Sequence, residues 1–262
     1  MSVVWVAVLL LIGAAIYVFA NPNAKAAIRS LARRDFAKSP EGAQISQIRR
    51  RALLAGLINS EQAGFFGDSL ATGVDRNRIE KTLANVWGVV DKQSAVAVLN
   101  WLRQSGHRSS FGAVLPYVLK RGDRLDRQKA IEKEFGENAT ELCKYADHLI
   151  ACMDSKKKRP IFTINKETLS KGILAWDASR MIVAARMAYE SGYIDEKVAW
   201  AVIENGYDAA AASYENWREF AIGYLIGRAM WGGDSNELDK LCAIAQKALN
   251  DEKSLWKTIA FK

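Results

Sequence analysis

The sequence predicts an all-α protein, a multi-helix globular bundle preceded by one N-terminal transmembrane helix. Apolar residues recur at helical spacing through most of the chain after Gln44. An uncharged apolar run of 18 residues stands near the N-terminus. Half of the 262 residues are hydrophobic, and eight Trp against four Pro favour an ordered core.

The first predicted element is the run VVWVAVLLLIGAAIYVFA, Val3–Ala20. As a helix it would span about 27 Å, close to the roughly 30 Å hydrocarbon core of a bilayer. Trp5 and Tyr17 lie near its two ends, where amphipathic rings favour the interface, and Pro22 stops the helix. Residues 1–20 are therefore predicted to be a transmembrane anchor.

A cleaved signal peptide is the alternative for this run. The residues VFA before Asn21 form an acceptable cleavage pattern, and cleavage after Ala20 would give a periplasmic protein. However, no charged side chain precedes the run, which is also longer than a usual signal-peptide core. The basic residues follow the run. We therefore expect a single-pass anchor in a bacterial inner membrane with the globular domain on the cytoplasmic side.

Residues 21–43 are predicted to form a basic, amphipathic juxtamembrane linker. Its cations Lys25, Arg29, Arg33 and Arg34 can contact anionic lipid headgroups, each contributing on the order of 1 kcal/mol. The alternative is a solvated linker helix with no role at the lipid surface. The segment 25–51 holds eight basic and two acidic residues, a net +6 of the +8 for the whole chain. Because the basicity belongs to one segment, we expect no nucleic-acid partner.

Residues 44–262 are predicted to form one all-helical globular domain. Asp195 and Ser235 are good N-cap residues, and Gly106, Gly192 and Gly232 are good helix stops. The only strand-like run, Ile161–Ile164, is too short to define a sheet. Helices are expected at residues 44–58, 76–89, 92–106, 138–153, 176–191, 195–211, 214–231 and 235–250.

The sequence lacks the motifs of familiar catalytic and cofactor sites. It has no Walker or dinucleotide glycine loop, no GxSxG, no HExxH and no Cys/His metal spacing. We therefore expect no catalytic residue, no cofactor and no metal. Cys143 and Cys152 would stand about 13 Å apart along one helix, too far to pair, so we expect buried, reduced thiols.

The stretch NWREFAIGYLIGRAMW places a charge, Arg228, within a stripe of aromatic residues. An unpaired guanidinium on an apolar face is costly, so we expect an acidic partner, with Asp177, Glu219 and Glu204 as candidates. Asp177 also has Arg180 three residues later on the same helix face. The sequence predicts a polar cluster of Asp177, Arg180 and Arg228, walled by Trp176, Trp217 and Tyr224.

This cluster has three interpretations. It can be a buried ion pair that fixes helix register, a small-molecule or peptide pocket, or an acid–base site built on Asp177. His107 joins the candidate residues because it follows Gly106 at a predicted helix end, where the macrodipole would favour its charged form. It would act there as a cap or as a pH-sensitive or ligand contact.

Several short motifs in this chain also form a family pattern. They are Trp87-Gly88, Gly106-His107, Trp176-Asp177-x-x-Arg180, Gly192-Tyr193-Ile194, Asn216-Trp217-x-Glu219-Phe220 and Tyr224-Leu225-x-Gly227-Arg228. With these motifs the chain resembles the bacterial family catalogued as domain of unknown function 1266, over residues of about 45–233. The resemblance implies a helical bacterial domain and assigns no activity.

Together these observations favour a membrane-anchored helical domain that binds another protein at the cytoplasmic face of a bacterial membrane. An immunity or envelope-stress protein would be one concrete version of such an accessory module. The alternative is an enzyme of unknown chemistry with a polar pocket around Asp177, Arg180 and Arg228.

Overall fold

The computed structural model describes residues 36–159 and 161–262, and these residues confirm an all-helical, multi-helix bundle. The strand-like run Ile161–Ile164 forms a turn and irregular backbone, because no neighbouring segment pairs with it there. The predicted anchor, residues 1–20, lies outside the described residues, as do the cations Lys25, Arg29, Arg33 and Arg34. None of the helices in the described part combines the length and apolarity needed to cross a bilayer.

The helices of the described residues are numbered here in chain order. A π-helical turn, Leu83–Trp87, follows α3, and short 3-10 turns occupy Gly42–Gln44 and Gly136–Asn138. The α-helices are α1 Gln47–Leu54, α2 Leu57–Ala63, α3 Arg76–Thr82, α4 Lys92–Gln104, α5 Gly106–Lys120, α6 Arg124–Phe135, α7 Ala139–Asp154, α8 Lys166–Ser170, α9 Leu174–Glu190, α10 Glu196–Ser213, α11 Trp217–Gly232, α12 Asn236–Asn250 and α13 Leu255–Thr258.

Both predicted N-cap residues, Asp195 and Ser235, cap helices in the structure. The Asp195 side chain accepts a hydrogen bond from the Val198 amide, and Ser235 does the same for Leu238. The stop after α11 is Gly233, with φ of 65°, rather than Gly232. Gly106 does not cap α4 as predicted. It begins α5, a helix that was not predicted; α6 was not predicted either.

Helix α9 lies at the centre of residues 37–262, which form one compact unit. Nearly every residue of α9 is buried, because helices α2, α4, α10 and α11 pack around it. Its fully buried Arg186 donates to the Ser60 hydroxyl and to the carbonyls of Phe66 and Ala71. Burial lowers the pKa of Arg186 to about 10. This arginine therefore ties the irregular segment after α2 to the central helix.

Candidate functional site

Asp177, in the first turn of α9, is the centre of the polar cluster. Its carboxylate is fully buried and accepts four hydrogen bonds. Oδ1 accepts from the His107 amide at 3.0 Å and from Arg180 Nη2 at 2.6 Å. Oδ2 accepts from the Arg108 amide at 3.0 Å and from Arg108 Nη1 at 3.1 Å. Each carboxylate oxygen thus holds one backbone donor and one guanidinium donor.

The two amide bonds make Asp177 the cap of helix α5. The preceding residue, Ser105, gives this helix no side-chain cap, so the carboxylate arrives from α9 instead. Gly106 permits the approach because its φ is +54° and a Cβ there would lie 2.2 Å from Asp177 Oδ2. The Gly-His motif and the Trp-Asp motif, about 70 residues apart in the chain, therefore meet at one point.

Arg180 neutralises Asp177 from within a cage of tryptophans. Its guanidinium carbon lies 4.6 Å from the Trp176 ring centroid and 5.8 Å from those of Trp87 and Trp101. Burial lowers the pKa of this arginine, while the charge of Asp177 and its hydrogen bond act in the opposite direction. The predicted Asp177–Arg180 pair is therefore present, and two of its aromatic walls, Trp87 and Trp101, were not predicted.

His107 belongs to the cluster, but in the opposite electrostatic setting from the one predicted. It stands in the first turn of α5, at the positive end of the helix dipole, rather than at a helix C-terminus. Its Nδ1 lies 2.8 Å from Arg180 Nη2, which can only donate, so Nδ1 is an acceptor. Burial, followed by the charge of Arg180, lowers the pKa of His107 to about 4. The ring is therefore neutral near pH 7.

Arg228 does not join the carboxylate of Asp177. It is buried near the C-terminal end of α11, just before the last turn, with its guanidinium carbon 5.1 Å from the Trp231 ring centroid. The other two predicted partners are engaged elsewhere, since Glu204 pairs with Arg49 and Glu219 with Lys171. Helix α11 turns this side chain towards α7 instead, where it lines a separate cavity.

Of the remaining predicted walls, Tyr224 is present and Trp217 is not. The Tyr224 and Trp176 rings pack edge to face with centroids 5.2 Å apart, and the Tyr224 hydroxyl donates to Asn59. Trp217 belongs to a second aromatic cluster, where it stacks on Trp256 at 4.8 Å and contacts Phe261. Trp217 therefore packs against the C-terminal segment rather than against the Asp177 cluster. Spacing along α11 does not indicate which distant segment a side chain will contact.

The arrangement offers little to an acid–base reaction. Asp177 is saturated with donors and has no exposed surface. The described residues contain no group of three or more His, Cys, Asp or Glu side chains that could hold a metal ion. Arg108, which was not predicted, is a second guanidinium paired with Asp177. Its position directly after the Gly-His pair is the signal that could have identified it.

The three cysteines, Cys143, Cys152 and Cys242, are buried and unpaired, as predicted for the first two. Burial raises the pKa of the Cys152 thiol to about 11 and that of Cys242 to about 12. These side chains therefore pack as small hydrophobic groups.

Comparisons with known proteins give one match. The model of the family described as "Protein of unknown function (DUF1266)" matches residues 82–261, so it begins and ends later than the motifs indicated. No curated protein and no solved structure matches the chain. The matched region contains both halves of the Asp177 cluster, the Gly-His motif on α5 and the Trp-Asp-x-x-Arg motif on α9. Since the match covers more than half of the chain, this protein belongs to the DUF1266 family.

Proposed function

We propose that this protein is a non-catalytic module that binds another protein at the cytoplasmic face of a bacterial inner membrane. The observation that supports the interaction is Trp101, a residue that is 40% exposed although its ring packs against His107. The centroid of the Trp101 ring lies 5.1 Å from the centroid of the His107 ring and 5.8 Å from Cζ of Arg180.

A rigid, exposed tryptophan suits a binding hot spot. Trp is enriched among residues whose truncation costs the most binding energy, and a side chain already ordered loses less entropy on association. The Asp177–Arg180 pair supplies this order, because it fixes the guanidinium against which Trp101 rests. In this proposal the buried charges position a contact surface rather than transform a substrate.

Exposed apolar side chains also occur on the two segments that carry Trp101 and Trp87. Val96 lies on the same helix, α4, and is 38% exposed. Val86 and Val90 stand on either side of Trp87 in the sequence and are 71% and 62% exposed, while the partly exposed Trp87 ring lies 5.8 Å from the Arg180 guanidinium carbon. Exposed aliphatic and aromatic groups lose their contact with water when an apolar surface covers them, so we assign an apolar face of another protein as the partner.

The alternative prediction, an enzyme with Asp177, Arg180 and Arg228 in one pocket, has less support. Such an enzyme needs a free acid, base or nucleophile near its substrate. Asp177 is buried and fully bonded, and Arg228 lies in a different cavity.

The membrane placement rests on the sequence. The uncharged run Val3–Ala20 has the length of a bilayer span, and the cations Lys25, Arg29, Arg33 and Arg34 follow it. The test is fractionation of cells that express the full chain, with N-terminal sequencing of the product. We expect an intact N-terminus in the membrane fraction, resistant to high salt and alkali. A soluble product that begins at Asn21 would refute this placement.

The interaction surface is tested by capture of the full chain from detergent-solubilised membranes. Trp101→Ala is compared with wild type and with Trp231→Ala, a control of the same residue type that is 48% exposed on α11. We expect a protein retained by wild type and by Trp231→Ala to fall about thirtyfold or more with Trp101→Ala, the effect of a hot-spot residue. Equal capture by all three folded proteins would refute the proposed surface.

A further inference from the structure

A cavity lies between α7 and the junction of α11 with α12, and its lining includes neither Trp101 nor the exposed valines named above. Its volume is about 500 Å³, in the usual range for small-molecule sites. Arg228 and Trp231 line it from α11, Glu141 and Lys144 line it from α7, and Glu237 lines it from the first turn of α12. It is therefore large enough for a small ligand and carries charges of both signs.

Arg228 is the group in this cavity whose bonding is incomplete. The residue is 8% exposed, and its Nη1 is buried without a hydrogen-bond partner among the described residues. No carboxylate of those residues forms an ion pair with it, although the charge of Glu237 is near enough to interact. Buried guanidinium groups are normally paired, so the missing partner points to an anionic group that the chain itself does not supply.

The guanidinium is also held in a defined position. A Cβ at Gly232 would lie 1.6 Å from Arg228 Nη1, so the arginine occupies space that any other residue would fill. On its other side it lies over the Trp231 ring, with 5.1 Å between Cζ and the ring centroid. The cavity also contains Ser235, the N-cap of α12, so the positive end of that helix faces the same space.

The acidic side of the cavity limits which anion can enter. Glu237 accepts hydrogen bonds from Gln62 and Lys240, and Glu141 accepts one from the Tyr145 hydroxyl. Burial acts to raise the pKa of Glu237, but these hydrogen bonds bring it below its ordinary value, so the group stays ionised. With two cations and two carboxylates in the lining, a ligand of one sign would meet repulsion from half of it.

We propose that this cavity binds a small zwitterion of the α-amino-acid class. The ligand carboxylate would pair with Arg228 near the start of α12, and its ammonium group would lie against Glu141. The Trp231 ring would cover the aliphatic part of the ligand. This assignment does not depend on the proposed protein-binding surface, because the two sites share none of the residues named for them.

The test is isothermal titration of the purified full chain with each of the twenty amino acids. Acetate, methylamine and inorganic phosphate serve as probes of single charge sign. We expect at least one amino acid to bind, and each single-charge probe to bind about tenfold more weakly or not at all. No binding by any amino acid, or equal or tighter binding of acetate or phosphate, would overturn the assignment.

Variants test whether Arg228 is the anion contact. Arg228→Gln should weaken amino-acid binding by about ten- to hundredfold, the range for one charged hydrogen-bonding partner. Gly232→Ala should weaken it similarly, because the new methyl group displaces the guanidinium. Arg218→Gln removes the same charge from an exposed position of the same helix and should bind like wild type. Unchanged affinity in both folded Arg228→Gln and Gly232→Ala proteins would refute the role of Arg228.

Discussion

Asp177→Asn is the sharpest test of whether the central cluster is a structural lock. Asparagine keeps the shape of the side chain, but it has one acceptor oxygen and places an NH2 group where the other oxygen was. That NH2 group would face either the His107 amide and Arg180, or the amide and guanidinium of Arg108. At least two of four hydrogen bonds are lost, and Arg180, 9% exposed, is left without its counterion.

Breaking a buried ion pair by removing one partner costs about 3–5 kcal/mol. This is a large part of the roughly 5–15 kcal/mol that stabilises a folded domain. In a domain of this size each kcal/mol lowers Tm by about 2–4 °C, so we expect a fall of about 6–20 °C. The assay is urea and thermal unfolding of the full chain, followed by tryptophan fluorescence and far-UV circular dichroism.

The matched control is Asp154→Asn, the same substitution at an exposed pair. Asp154 bonds Arg121 at 2.8 Å, but both side chains are at least half exposed, so its loss should cost less than about 1 kcal/mol. A change in the Asp177→Asn unfolding free energy as small as that of the control would contradict the structural interpretation. Loss of a binding or catalytic activity without loss of stability would instead make Asp177 a functional group.

Three further predictions concern the same fold. Because the pKa of His107 falls from about 6.5 to about 4 on folding, the unfolded chain binds more protons between those pH values. The free energy of unfolding should therefore drop by on the order of 2–3 kcal/mol as pH falls from 6.5 to 4. In urea titrations at several pH values, His107→Gln should lack this contribution to the pH dependence of the unfolding free energy. Gly106→Ala should cost at least about 1 kcal/mol more in urea titrations than Gly88→Ala, since both have positive φ but only the former meets Asp177. Trp217→Ala should cost about 3–5 kcal/mol by the same assay and expose the C-terminal segment to proteolysis, an outcome that an unchanged cleavage pattern would exclude.

Most helices of the described residues could be predicted because their signals are local. Apolar spacing locates α7, α9, α10, α11 and α12 to within a few residues, and the N-caps Asp195 and Ser235 set the starts of α10 and α12. Helices α5 and α6 were not predicted. α5 contains Pro116, and α6 is rich in charge with few buried positions, so neither shows a clear apolar stripe.

The sequence by itself determined the all-helical class, the family and the Asp177–Arg180 pair, because periodicity, motifs and a spacing of three residues on one helix are local properties. Only the tertiary structure decided which distant residues meet. In the folded chain Gly106 and Arg108 contact Asp177. Trp217 packs against the C-terminal segment, and Arg228 lines a cavity away from Asp177. The physical reason is that a residue's position in a helix fixes the face on which its side chain lies. Which other helix packs against that face depends on how all the apolar faces of the domain are buried together.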